Sequence, residues 1–332
     1  MKVIIVTDAS QDYMADYLFD GFASLTSPTD TLDWPPKPSL HHGERRTMDC
    51  DFNWPFHQVS EGELLAAMRD KQVDLVVVPT LRGRVPALLT SWRPFLPGLA
   101  DRTVYIDGED HPHDTLSQFE DAAGVKPAVY FKRELPLTAT WAKPLTFAYP
   151  ARRIVAPGGT RSGVFYDVQI WPWAVGGPRE RLGHLLRKEF GRGATVAMPY
   201  DGTTRHHPDD YHARARRTLV AVAPAGAGYF TNRLFEVVAD GCALVAERPY
   251  AEFPDAFEAA HYYSTPEEAV GVVADYLAEP EVAQADARAV QCELRAHHTT
   301  EVRARQVYEA VHGPTAFTTP GEGAALTHGM GR

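Results

Sequence analysis

The sequence predicts an α/β protein in which two domains each contain a parallel β-sheet covered by helices. Short apolar runs with the length of buried strands alternate with stretches of helical periodicity along the chain. At 332 residues the chain is long enough to bury two hydrophobic cores. Residues 144–163 are rich in proline and glycine and resemble a linker. We therefore predict domains at residues 1–150 and 151–312, followed by a disordered tail at 313–332.

The first half alternates strands with helices in the manner of a doubly wound domain. A helix from about Gln11 to Leu25 follows the first strand, and a capping box, Ser60-x-x-Glu63, begins the next helix. Residues 27–57 are rich in proline and polar side chains without a period, which predicts a functional loop. The predicted strands cover residues 2–7, 73–78, 103–106 and 128–131.

The second half continues the alternation. A helix begins at Pro178, a favoured first helical residue, and Thr265-Pro266 marks another strong helix start. The predicted strands cover residues 164–171, 194–198, 219–223 and 242–246, and the last helices cover about 266–277, 281–295 and 301–311.

Composition narrows the function classes. The net charge of −10 and pI of about 5.8 give no overall field that attracts nucleic acid or anionic membranes. The cysteines, Cys50, Cys242 and Cys292, are scattered and odd in number, which indicates a reducing compartment. No apolar run is long enough to span a bilayer and no signal-peptide pattern is present, so we expect no membrane insertion and a cytoplasmic location.

Residues 218–248 predict a complete strand–loop–helix–strand unit. The run 219–223 has the length of a buried strand, and residues 232–240 have apolar side chains at helical spacing. Gly241 ends that helix where a left-handed residue is favoured, and residues 242–246 form the next strand. The helix N-terminus therefore points at whatever lies over the strand ends.

The loop before this helix has the chemistry of a phosphate site. Helix N-termini offer unpaired N–H groups and a partial positive charge, and Gly226 and Gly228 allow a ligand close to the backbone. Arg233 can add a bidentate donor, and Glu236 can accept hydrogen bonds from a ribose diol. The same pattern also fits an ordinary βαβ loop with both charged side chains in solvent, since glycine-rich loops are common.

Two polar clusters follow strands of the first half, where open α/β sheets bind ligands. Residues 107–114, DGEDHPHD, include Asp110 and His111. They fit a metal site, an acceptor-binding or catalytic role, or a solvated turn. Residues 132–134, Lys-Arg-Glu, fit either an anion-binding group or an internal ion pair.

The pattern N-R-x-F-E-x-x-A-x-G-C at residues 232–242, followed by YYSTPEEAVGVVADYLAEP, resembles the C-terminal domain of certain glycosyltransferases. These enzymes have two Rossmann-like domains facing each other across a cleft, the GT-B architecture. The chain is most similar to the glycosyltransferase group 1 branch that includes the CgeB-like spore maturation proteins. The resemblance covers residues 214–311, with a weaker echo in YFKRE and PLTFAYP near the middle of the chain. It implies that the last helix packs back toward the first domain.

The resemblance also implies roles for individual residues. Glu236 matches the glutamate that contacts the donor ribose. Basic residues after the first strand of this domain border the donor phosphates, which makes Arg179 and Arg181 candidates, although both also fit a solvated helix face. Many members carry a further glutamate eight positions before the ribose glutamate, where this chain has glycine, and this departure weakens any inference about donor sugar and stereochemistry. The positions that match the loop near sugar and diphosphate are Gly226, Gly228, Tyr229, Thr231 and Asn232.

The predicted function is metal-independent transfer of a sugar from a nucleotide-diphosphate-sugar donor to an acceptor hydroxyl. Arg179, Arg233 and the helix N-terminus would stabilise the departing diphosphate, and the donor is a co-substrate, with no other cofactor. An inverting reaction needs a base, for which Asp110 or His111 is the candidate. The alternatives are a nucleotide-sugar epimerase or phosphorylase on the same fold, or a non-catalytic nucleotide-sugar-binding protein. The sequence does not specify the acceptor, and its acidity makes nucleic acid less favoured without excluding it.

Overall fold

The computed structural model describes residues 1–8, 12–41, 52–156, 158–170, 174–199, 207–226 and 228–314. The predicted disordered tail lies outside the described residues except for its first two. Part of the predicted loop at residues 27–57 lies outside them as well.

The first sheet has six parallel strands in the order β2-β1-β3-β4-β5-β6. The strands are β1 (Val3–Val6), β2 (Thr31–Trp34), β3 (Leu75–Val78), β4 (Thr103–Asp107), β5 (Val129–Lys132) and β6 (Lys143–Pro144). The helices are α1 (Tyr13–Leu25), α2 (Glu61–Arg69), α3 (Val85–Trp92) and α4 (Leu116–Ala123). The apolar runs β1 and β3 are fully buried at the middle of the sheet, because helices cover both of its faces.

This half differs from the sequence prediction at α1, at β2 and at β6, a short strand that was not predicted. The helix α1 begins at Tyr13 rather than at about Gln11, and Asp12 is its N-cap. The strand β2 lies inside the region predicted as a loop and pairs with β1. Its Asp33 is buried although it is charged, since its carboxylate accepts the N–H of Lys37 at 2.6 Å and contacts His41 at 3.0 Å. Because the polar Asp33 interrupts the apolar pattern of β2, hydrophobic periodicity does not reveal this strand. The predicted capping box at Ser60 is confirmed.

The second sheet has five parallel strands in the order β11-β10-β9-β7-β8. The strands are β7 (Val164–Asp167), β8 (Ala194–Ala197), β9 (Val220–Ala223), β10 (Ala243–Glu247) and β11 (His261–Tyr263). The helices are α5 (Pro178–Phe190), α6 (Pro208–Ala215), α7 (Asn232–Ala239), α8 (Pro266–Ala278) and α9 (Pro280–His297). Two parallel sheets with covering helices confirm the predicted α/β fold class.

A final helix, α10 (Thr300–His312), leaves the second sheet and packs on α1. A Cβ on Gly21 of α1 would lie 2.6 Å from the carbonyl carbon of Thr300, so the two helices touch backbone to backbone. The buried Arg303 donates hydrogen bonds to the Thr146 hydroxyl at 2.8 Å and to the Phe147 carbonyl at 3.1 Å. The last helix therefore contacts the first domain, as the resemblance implied.

The chain passes between the domains twice, and the two passages lie side by side. The N–H of Tyr149 donates to the carbonyl of His298 at 2.8 Å, and the N–H of Thr300 donates to the carbonyl of Tyr149 at 3.2 Å. Among the described residues, no helix is long and apolar enough to cross a membrane.

Candidate active site

The turn between β9 and α7 is compact, and the N-terminus of α7 that follows it has no side-chain cap. The N–H of Gly226 donates to the carbonyl of Gly228 at 2.6 Å, and a Cβ on Gly226 would lie 2.5 Å from the Thr231 methyl group. Thr231 is the N-cap residue of α7 but makes no side-chain cap hydrogen bond within the described structure. The first N–H groups of α7 thus lack the cap that serine or threonine usually supplies. Such a terminus suits an anion.

Two arginines flank this turn. Arg179, in the first turn of α5, donates from Nε to the carbonyl of Ala225 at 2.6 Å and from Nη1 to the carbonyl of Gln169 at 3.1 Å. Burial lowers the pKa of Arg179, and the nearby guanidinium of Arg233 lowers it further. Two cations that disfavour each other's charge gain energy when an anion binds between them.

Arg233 lies in the first turn of α7. Burial alone would lower the pKa of Arg233, but Tyr211, Glu236 and Asp167 together raise it. These three residues belong to α6, α7 and the end of β7, so groups from three elements favour the charge of this guanidinium. Sequence reasoning did not single out Tyr211 or Asp167, because neither belongs to a local motif.

Glu236 and Asn232 form the part of the site that faces the first domain. The Asn232 amide donates to the Glu236 carboxylate, and its carbonyl oxygen accepts the Tyr17 hydroxyl of α1 at 2.7 Å. Both side chains are buried. The Glu236 carboxylate therefore lies near the domain boundary, joined through Asn232 to Tyr17 of the first domain.

Tyr229 projects from the turn toward solvent. Its ring centroid lies 5.3 Å from that of Tyr250, and both rings are exposed. They form an aromatic pair at the edge of the turn.

Asp110 approaches the turn from the first domain. Its carboxylate forms an ion pair with Arg133, and its Oδ1 lies 3.3 Å from the position that a Cβ on Gly228 would take. The Asp110 side chain is 43% exposed. Asp110 is the predicted catalytic residue that the structure brings closest to the turn.

His111 lies next to Asp110 but points along its own loop. Its Nδ1 accepts the N–H of His113 at 3.3 Å. Burial and then the charge of Lys132 lower the pKa of His111, so the ring is neutral near pH 7. No group of three or more His, Cys, Asp or Glu side chains is placed to hold a metal among the described residues.

A buried ion pair supports this loop from below. Lys132 contacts the Asp107 carboxylate at 2.8 Å, and both side chains are inaccessible to solvent. The other oxygen of Asp107 accepts the N–H of Glu109 at 3.0 Å. Two interpretations were predicted for residues 132–134, and Lys132 agrees with the internal ion pair. Glu134, by contrast, reaches the second domain and is a contact that sequence reasoning missed.

Comparison with known proteins adds to this geometry. Residues 180–309 match the family model described as "Glycosyl transferase-like". No match is found among curated proteins. The matched segment contains α7 but begins one residue after Arg179. It is shorter than half of the chain.

Solved structures resemble the whole chain at low sequence identity. HepE from Anabaena in complex with UDP is 12% identical, with a TM-score of 0.60 over 95% of this chain and 100% of that chain. An α-glucosyltransferase in complex with UDP-glucose and DNA containing an abasic site is 9% identical, with a TM-score of 0.57 over 93% of this chain and 98% of that one. A glycosyltransferase from Rickettsia africae is 8% identical, with a TM-score of 0.54 over 95% of this chain and 99% of that chain.

Together these similarities show the fold. The chain has the GT-B fold of two Rossmann-like domains, and its second domain carries a glycosyl transferase-like sequence.

Proposed function

We propose that the protein is a glycosyltransferase that moves a sugar from a nucleotide-diphosphate-sugar donor to an acceptor hydroxyl. The observation that carries the proposal is the pair of guanidinium groups, Arg179 and Arg233, beside the uncapped N-terminus of α7. Phosphoryl oxygens are recognised by such groups and by helix N-termini.

The proposed donor pose follows from the contacts. The diphosphate lies on the turn and between Arg179 and Arg233, and Glu236 accepts the hydroxyls of the ribose. The two arginines and the helix dipole offset the charge of the departing diphosphate, which is the role that a metal ion serves elsewhere. We therefore propose a metal-independent reaction in which the donor is the only co-substrate besides the acceptor.

For an inverting reaction we propose Asp110 as the base, with His111 as the second candidate. Asp110 faces the turn and is exposed enough to meet an acceptor hydroxyl. A base must reach the proton it removes, so this placement favours Asp110 over His111.

Three finer assignments belong to the same proposal. We assign the chain to the CgeB-like branch on the pattern at residues 232–242. We place it in the cytoplasm because Cys242 and Cys292 are both free thiols. We favour an acceptor other than nucleic acid, because the cations Arg82 and Arg133 near the first sheet's edge are each paired with a carboxylate.

A donor panel tests the function. The protein is incubated with UDP-, GDP- and dTDP-sugars, and free nucleotide is measured with and without candidate acceptors. UDP-sugars come first, because HepE and the α-glucosyltransferase bind UDP or UDP-glucose. Slow donor hydrolysis supports a transferase, conversion to an isomeric sugar indicates an epimerase, and binding without turnover indicates a binding protein.

The Glu236→Ala variant tests the pose. A lost hydrogen bond to a charged group corresponds to about 1.5–3 kcal/mol, so donor affinity should fall roughly ten- to hundredfold. Glu189→Ala, at an exposed glutamate near the far end of α5, is the control and should bind donor normally. An unchanged donor affinity in a correctly folded Glu236→Ala protein would remove Glu236 from the site.

A further inference from the structure

Glu134 lies two residues after β5 and extends its carboxylate across the domain boundary. Oε2 accepts the N–H of Tyr229 at 3.0 Å, and Oε1 accepts the N–H of Phe230 at 3.2 Å. The neighbouring Arg133 donates from Nη1 to the carbonyl of Phe230 at 3.1 Å. Two successive residues of the first domain thus bind the N–H and carbonyl groups of one turn of the second domain.

This contact requires a glycine. A Cβ on Gly228 would lie 2.7 Å from Cδ of Glu134, so any other residue would displace the carboxylate. The Glu134 side chain is only 3% exposed. Burial raises the pKa of Glu134, while Arg133 and the two N–H groups lower it and Asp110 raises it. The carboxylate is therefore held by Arg133 and by the two N–H groups of the turn.

The N–H groups that Glu134 uses directly precede α7, whose N-terminus we assign to the donor diphosphate. A carboxylate and a phosphate are both anions that accept from backbone N–H groups. The two sets of donors are adjacent along the chain, so the two anions would lie side by side and repel each other. Binding of the diphosphate and binding of Glu134 to the turn should therefore oppose each other.

We propose that Glu134 is an internal anion that occupies the donor turn in the donor-free protein and that the donor diphosphate displaces it. This inference rests on the proposed function. Displacement leaves Glu134 next to Asp110, and its return to Tyr229 and Phe230 after the reaction helps expel the nucleoside diphosphate. Glu134 thus sets donor affinity and product release without touching the reacting atoms.

The size of the effect follows from competition. If Glu134 occupies the turn about nine-tenths of the time, the apparent donor affinity is reduced about tenfold, because only the open fraction binds. Removing the charge of Glu134 should therefore raise the apparent donor affinity about tenfold. The sign of the effect is unusual, since a variant in a binding site normally weakens binding.

The experiment compares the wild type with Glu134→Gln and with the exposed control Glu189→Gln. Titration calorimetry measures binding of UDP and of inorganic pyrophosphate, which needs no particular base. We expect Glu134→Gln to bind both probes roughly tenfold more tightly and the control to match the wild type. Hydrogen exchange in the donor-free protein should be faster at the Tyr229 and Phe230 amides of Glu134→Gln.

Each outcome bears on the inference. Equal or weaker binding by Glu134→Gln, while the wild type binds UDP or pyrophosphate, overturns it and leaves the proposed function standing. Failure of every protein to bind either probe overturns the diphosphate site and this inference together. Glu134→Ala removes charge and acceptor alike and should also bind more tightly, and the isosteric glutamine serves if the alanine variant does not fold.

Discussion

Replacing Arg179 with alanine tests the electrostatics of the site most directly. Its guanidinium is fixed by the carbonyls of Ala225 and Gln169, while Nη2 lies 3.5 Å from the position that a Cβ on Gly226 would take. One end of the fork thus holds the turn and the other is available to a phosphate. The substitution removes both functions.

The magnitude can be worked out from these contacts. A hydrogen bond to a charged group contributes about 1.5–3 kcal/mol, and each 1.4 kcal/mol is about tenfold in affinity. We therefore expect Arg179→Ala to bind UDP ten- to roughly a hundredfold more weakly than the wild type. Arg179→Lys keeps the charge but loses the planar fork, so its affinity should lie between the two.

Titration calorimetry with UDP measures the effect, and Arg181 provides a matched control. Arg181 lies on the same helix, but it is 65% exposed and pairs with Glu267, which is 53% exposed. Exposed pairs of this kind contribute little, so Arg181→Ala should change UDP affinity less than about twofold. If Arg179→Ala and Arg181→Ala bind UDP equally well, the assignment of Arg179 to the diphosphate is wrong.

Two further predictions concern stability. Gly21→Ala should lower the melting temperature, because its methyl group collides with the backbone of Thr300 and overpacking costs about 1–3 kcal/mol. Gly62→Ala is the control and should not lower it, because a Cβ there meets nothing within 4 Å. Equal melting temperatures for the two variants would contradict the close contact between the helices. Burial and then the charge of Arg303 lower the pKa of His298 from 6.5 to about 3, so the folded state resists its protonation. The free energy of unfolding should therefore be fully retained above pH 6.5 and decrease as the pH falls from there toward 3, by up to about 1.4 kcal/mol per pH unit. In urea unfolding at pH 7 and pH 5, His298→Gln should lose less stability than the wild type, and identical losses would exclude His298 as the cause.

The sequence predicted the elements whose signals are local. The unit at residues 218–248 appears as β9, α7 and β10, because each part has its own apolar period. Gly241 has a φ of +83°, as expected for a residue that ends a helix. The approach of Arg179 to the turn could be anticipated only from the resemblance, since no period links α5 to α7.

Contacts between distant segments had no such signal. Glu134 and Tyr229 are 95 residues apart, and nothing near either residue marks it as a partner. The glycine at 228 was visible as a departure from the family pattern, but its reason, the space taken by Glu134, is a property of the folded chain. The predicted boundary at residues 150 and 151 stays a prediction.

The adjacent passages at Tyr149 and Thr300 have a mechanical consequence. Two covalent connections that are hydrogen-bonded to each other restrict the relative movement of the domains to rotation about one line. Rotation about this line would part Glu134 from the turn while α10 stays packed on α1. The buried cluster beside it contains residues of both halves, among them Phe147 and Phe235, so apolar packing resists such an opening.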